Sequence, residues 1–122
     1  MQLFKIISIS TIVLLLCACS DSDDSNINFP PTADFSFVPE NADTSTVFTF
    51  DASASFDEED QGISLLFRWD FEGKHHWTDA VKDPLVNYKY SKSGTYNVGL
   101  KVIDSEGWSG ETTRTIIVSD SL

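Results

Sequence analysis

Residues 65–71 read Leu65-Leu66-Phe67-Arg68-Trp69-Asp70-Phe71, and their alternation decides the fold. In an extended chain Leu65, Phe67, Trp69 and Phe71 fall on one side and Leu66, Arg68 and Asp70 on the other, the period of a half-buried strand. The same period continues in both directions. Upstream, Ala33, Phe35 and Phe37 alternate with Asp34 and Ser36, and Phe48 and Phe50 follow. Downstream come Val86, Tyr88 and Tyr90, then Tyr96, Val98, Leu100 and Val102, and last Arg114 to Val118 with Ile116 and Val118 on one face. No stretch beyond the N-terminus is long and helical in its spacing. Segments rich in Gly, Ser, Pro and acids separate the stripes: Pro39 to Asp43, Asp57 to Gly62, Glu72-Gly73, Ser91 to Gly94 and Ser105 to Gly110. This count of about seven short strands, with turns at such spacing, predicts an all-β antiparallel sandwich.

The 122 residues hold at most one ordinary domain, which excludes a multidomain enzyme. Eight Lys and Arg stand against 19 Asp and Glu, a formal charge of -11. Such a chain repels phosphate backbones, and it carries no basic cluster to overcome the repulsion, so nucleic acid is excluded as a partner. At 41% hydrophobic, with nine Phe and three Trp, it has more apolar mass than a disordered acidic tail.

Residues 1–18 carry one charge, Lys5, and then an apolar run from Ile6 to Cys17 broken only by Ser8, Ser10 and Thr11. A bilayer span needs roughly 20 apolar residues, so this shorter run has the form of a signal peptide's hydrophobic region. Leu16-Cys17-Ala18-Cys19 follows, which resembles the bacterial lipobox. The resemblance implies cleavage before Cys19, diacylglycerol on its sulfur and an acyl chain such as palmitate on its nitrogen. Three chains are ample for stable attachment, since each buried methylene contributes about 0.8 kcal/mol. The other possibility is a plain secretory cleavage site with two incidental Cys. Residues 19–30 are polar and acidic and end at Pro30, which marks a flexible tether before a domain at 31–119. Asp21, Asp23 and Asp24 resemble surface-export signals of some Gram-negative lipoproteins, or simply keep the tether solvated.

Trp69 stands on the third main strand, where immunoglobulin-like sandwiches bury a Trp, and Tyr96 opens the penultimate strand, where a tyrosine corner sits. Four motifs then occur in order. Asp51-Ala52-Ser53-Ala54-Ser55-Phe56-Asp57, Arg68-Trp69-Asp70-Phe71, Tyr90-Ser91-Lys92-Ser93-Gly94-Thr95-Tyr96-Asn97-Val98 and Val102-Ile103-Asp104-Ser105-Glu106-Gly107 resemble the successive motifs of the PKD domain. The resemblance covers about residues 31 to 119 and implies an immunoglobulin-like antiparallel β-sandwich of PKD type. The chain departs from the family after Phe71, reading Glu72-Gly73-Lys74-His75-His76-Trp77 where an acidic turn is usual. Tyr88 replaces the family's usual His two residues before the Tyr of the fifth strand.

Chemistry is sparse. On an extended segment His75 and His76 point to opposite faces and do not reach one metal ion, so a solvated turn is the better account of them. The chain has no other His, and neither Cys belongs to the domain, which removes Ser-His, Cys-His and transition-metal sites. A small sandwich also lacks the bulk for a deep cleft, so the protein is expected not to be an enzyme. Asp57-Glu58-Glu59-Asp60 and Asp104 with Glu106 lie in turns that an immunoglobulin-like sandwich brings to the end where the tether enters. The PKD resemblance makes Asp57, Asp60 and Asp104 candidates for calcium, which takes oxygen ligands in loose geometry; the same residues also suit turn capping. Trp77 and Trp108 sit in polar turns at what the strand order suggests are opposite poles. Each is a candidate to stack on sugar or anchor a protein partner, although a loop plug covering the sheet edge is the better account of Trp77.

The expectation is a lipid-anchored protein of the outer membrane or cell surface, presenting a non-catalytic domain for adhesion to protein or glycan. Two competitors stand beside it: an accessory carbohydrate-binding lipoprotein using Trp77 or Trp108, and a spacer without a ligand.

Overall fold

The structure is a computed structural model that describes residues 27–59 and 64–121. Residues 1–18, expected to be a signal peptide, and Cys19, Asp21, Asp23, Asp24 and Asp60 lie outside the described residues. Seven strands follow in order: β1 (Ser36–Val38), β2 (Ala42–Asp43), β3 (Phe48–Asp51), β4 (Leu66–Asp70), β5 (Leu85–Tyr88), β6 (Gly94–Ile103) and β7 (Ser109–Ser119). They form two sheets, one ordered β1-β3-β5 and the other β2-β7-β6-β4. The fold is an immunoglobulin-like β-sandwich, as the period-2 stripes predict.

The inward side chains are those of the stripes. Phe35, Phe48 and Phe50 meet Leu65, Phe67, Trp69 and Phe71, while Val98, Leu100, Val102, Ile116 and Val118 fill the second sheet's inner face. Trp69 is only 1% exposed. Its ring meets that of Phe35 in a T-shaped arrangement at 5.2 Å, lies 5.5 Å from Phe50 and stacks parallel to Phe71 at 5.9 Å. Aromatic pairs in such arrangements contribute about 0.5–1.5 kcal/mol each beyond their area. The indole Nε1 has no hydrogen-bond partner among the described residues, which subtracts from that gain because a buried donor left unmade costs about 1–3 kcal/mol. Tyr90, just past β5, instead donates its hydroxyl to the Phe71 carbonyl at 2.7 Å. Burial first, then Tyr88, Tyr96, Glu72 and Asp70, push that hydroxyl's pKa well above the usual tyrosine value.

Three features differ from the sequence expectation. β6 and β7 are long, pairing from Gly94↔Val118 to Ile103↔Ser109, so the last turn ends before Ser109 rather than at Gly110. The short β2 runs parallel to the end of β7 (Ala42↔Val118), an exception in an otherwise antiparallel sandwich. Residues 78–81 lie along the outer edge of β4: Phe67 and Val81 exchange backbone hydrogen bonds of 2.8 and 3.1 Å, and Thr78 donates to the Trp69 carbonyl at 2.8 Å. An otherwise unpaired edge is thereby covered, which removes a template for strand-to-strand aggregation.

Candidate functional site

The linker enters the sandwich between two acidic turns. In the β6–β7 turn, Asp104 Oδ1 accepts the backbone N–H groups of Glu106 (2.9 Å) and Trp108 (2.8 Å), and Gly107 takes a φ of 93° that favours glycine. Asp104 Oδ2 accepts from Asn28 Nδ2 at 2.8 Å. Burial alone would raise this carboxyl; Asn28 and the N–H groups of Trp108, Glu106 and Gly107 outweigh it and hold the pKa below the usual carboxylate value. In the other turn, Asp57 Oδ1 accepts the Glu59 N–H at 2.8 Å, and Glu59 Oε1 accepts the Phe29 N–H at 3.3 Å.

Further bonds sew the linker down. Thr32 and Phe56 exchange backbone hydrogen bonds of 2.8 and 3.0 Å. Ser55 Oγ both accepts from the Asp34 N–H and donates to the Asp34 carbonyl, each at 2.9 Å. Gly110 permits the closest approach, since a Cβ there would overlap the Pro31 carbonyl oxygen.

At this end the structure leaves three rings half exposed: Phe29 (55%), Phe56 (53%) and Trp108 (52%). Phe56 stands between two grooves. One, of about 550 Å³, is lined by Ser53, Asp57, Glu58, Leu65, Lys82 and Pro84 among others; its neighbour, of about 390 Å³, is lined by Phe29, Pro30, Thr32, Asp57 and Glu58. Sequence reading passed over Phe56 because it belongs to a motif. The available signal was a large ring between Ser55 and Asp57, where the alternation has already stopped.

The other candidates sit elsewhere. Trp77 is not a polar-turn aromatic at the opposite pole: its ring lies over Gly99 on the outer face of β6, where an added Cβ would come within 3.1 Å of it, and Lys101 Nζ sits 4.8 Å above. It is half-buried because Gly99 leaves a flat gap in the sheet that the indole fills, so it covers the face rather than offering a platform. The loop that delivers it is built on Asp70, which accepts N–H groups of Gly73 (3.0 Å), Lys74 (3.2 Å) and His75 (2.7 Å). Burial would raise the Asp70 carboxyl, but the donors of His75, Lys74, Glu72 and Gly73 together lower its pKa. His75 has a φ of 63°, so the segment turns there and both imidazoles are exposed, as the solvated-turn account expects. Tyr96 donates its hydroxyl to the Lys92 carbonyl at 2.7 Å, the geometry of a tyrosine corner. Among the described residues no three His, Cys, Asp or Glu side chains are grouped to hold a metal ion. Asp57 and Asp104 spend oxygens on their own turns, and Asp60 lies outside the described residues.

A solved structure of carbohydrate-binding modules from the beta-sandwich superfamily is 38% identical with a TM-score of 0.68; the match covers 78% of this chain but only 36% of that one. The PKD1 domain of Vibrio anguillarum Epp is 25% identical, with a TM-score of 0.60, over 78% of this chain and 100% of that domain. The PKD1 domain from the Vibrio cholerae metalloprotease PrtV is also 25% identical, with a TM-score of 0.58, over 75% and 99%. No curated protein matches significantly. The profile of the PKD domain matches residues 28–118, from the Asn that clamps Asp104 to the last buried Val of β7, and the chain belongs to the PKD domain family.

Proposed function

We propose that this protein is a non-catalytic binding module of the bacterial cell envelope, anchored by acyl groups on Cys19, spaced from the membrane by the acidic residues that follow it and presenting the domain of residues 28–118 to a protein or glycan outside the cell. One observation carries the binding part of this reading. A domain that buries Phe35, Phe48, Phe50, Phe67, Trp69, Phe71 and Tyr90 nevertheless leaves Phe29, Phe56 and Trp108 half exposed at a single end. Exposed rings with a polar rim are the usual mark of an interaction surface. The likeness to a structure of carbohydrate-binding modules supports glycan as one ligand class. The lipobox-like Leu16-Cys17-Ala18-Cys19 supports the anchor, and Asp21, Asp23 and Asp24 support export to the outer leaflet.

Cys19→Ala is expected to abolish labelling by a clickable palmitate analogue and to move the protein from the membrane to the soluble fraction; unchanged partition overturns the anchor. Protease added to intact cells is expected to remove the domain, and full protection overturns surface display. The detergent-extracted protein is expected to bind on a glycan array or a panel of extracellular proteins, more weakly after Trp108→Ala. Silence on both panels overturns the binding reading and leaves a spacer.

A further inference from the structure

The two grooves about Phe56 are lined by side chains of mixed chemistry. The ring of Phe56 is half exposed, while its backbone is fixed on both sides of the peptide unit by Thr32. On one flank stand the hydroxyl of Ser53, the ammonium of Lys82 and the apolar Pro84 and Leu65; on the other stand Phe29, Pro30 and Thr32; the buried Asp57 and the exposed Glu58 border both. The volumes, about 550 and 390 Å³, lie in the range of small-ligand sites.

We infer that Phe56 is the central platform of a two-subsite groove for a neutral glycan, with Glu58 and Lys82 as the polar groups that orient it. This inference rests on the binding reading above and names its ligand class and residues. A pyranose presents an apolar C–H face and a rim of hydroxyls that both donate and accept. The groove supplies the counterpart of each: a ring for the face, a carboxylate to accept, an ammonium to donate and a Ser hydroxyl for either role. Polyanionic glycans are disfavoured by the formal charge of -11 and by Glu58 on both flanks. A basic peptide would gain from that charge but would meet Lys82 in the larger groove. The fixed Thr32–Phe56 pairing holds the platform before the ligand arrives, which lowers the ordering cost of binding.

The test is affinity electrophoresis of the detergent-extracted full chain in gels containing xylan, glucomannan or a soluble β-glucan, with alginate and poly-lysine as the charged alternatives. At least one neutral polysaccharide is expected to retard the protein. Phe56→Ala is expected to weaken the retardation about tenfold, Lys82→Ala and Glu58→Gln about threefold each, and Phe56→Trp to preserve it, all with unchanged melting temperature. Because Lys82 and Glu58 are exposed, their variants keep the test valid if Phe56→Ala fails to fold. No retardation by any neutral polysaccharide, retardation insensitive to Phe56→Ala, Lys82→Ala and Glu58→Gln alike, or interaction with poly-lysine or alginate alone overturns the inference. Retardation lost with Trp108→Ala but not with Phe56→Ala also overturns it while the broader binding reading stands, and membrane partition of Cys19→Ala is independent of every one of these results.

Discussion

Trp69 and Asp70 are neighbours on β4 that stabilise the domain by opposite means. The first fills the interior with rings and the second turns outward to collect N–H donors from the next loop. Trp69→Ala is expected to cost about 3–5 kcal/mol in denaturant unfolding, and a loss under about 1 would mean the ring is not the centre of the core. Trp69→Phe should cost far less than Trp69→Ala, because it also removes an Nε1 donor that finds no acceptor among the described residues. Asp70→Asn should cost about 1–3 kcal/mol, since a neutral amide oxygen replaces a charged acceptor of three N–H groups. It should also change the acid limb. A carboxyl whose folded pKa lies below its unfolded value of about 3.9 adds stability above that value and loses it as the pH falls through the folded pKa. Asp70 and Asp104 both have lowered values, so wild type should lose stability below about pH 4 and Asp70→Asn should lose it less steeply. Equal slopes in a pH series of unfolding curves would contradict the assignment.

Among the elements, the β6–β7 hairpin and the linker beside it show how much depends on glycine. Gly110 pairs with Val102 and lets the Pro31 carbonyl lie against β7. Gly110→Ala is expected to push residues 28–33 off the sheet and break the Thr32–Phe56 bonds, seen as loss of hydrogen-exchange protection at Thr32 and Phe56 with the β6–β7 core still protected. Retained protection at both amides would mean the linker tolerates displacement. Gly99→Ala is gentler, because its Cβ meets only the far edge of the Trp77 indole at 3.1 Å; exposure of Trp77 by fluorescence is the expected signal. For the acidic turns, Asp104 already holds donors from Asn28, Glu106 and Trp108. A melting temperature equal in calcium and in EDTA is expected, since among the described residues no three acidic side chains are grouped to hold the ion. A site saturated at 100 times Kd would add about 2.7 kcal/mol, and such a rise would show that calcium binds.

Taken as one body, the protein carries a charge of -11 on 122 residues, and self-repulsion of this kind opposes compaction. Stability should therefore rise as sodium chloride goes from about 0.01 to 0.15 M, where the screening length falls from roughly 30 to 8 Å; a midpoint independent of salt would show the charges are too dispersed to matter. What could be read from the chain follows from distance along it. Alternation is a local property, so Phe67, Trp69, Val98, Leu100 and Ile116 announced their inward face without any partner being known, and the sandwich followed from burying such faces together. Turn residues announced themselves for the same reason. Contacts between distant segments left no such trace. Asn28 meets Asp104 across 76 positions, Trp77 lies on a gap made by Gly99, β2 joins β7 in parallel, and Phe56 is left between two grooves because the linker and residues 82–84 pass on either side of it. Each of these depends on which strands become neighbours and at what register, and packing of the two sheets sets that choice.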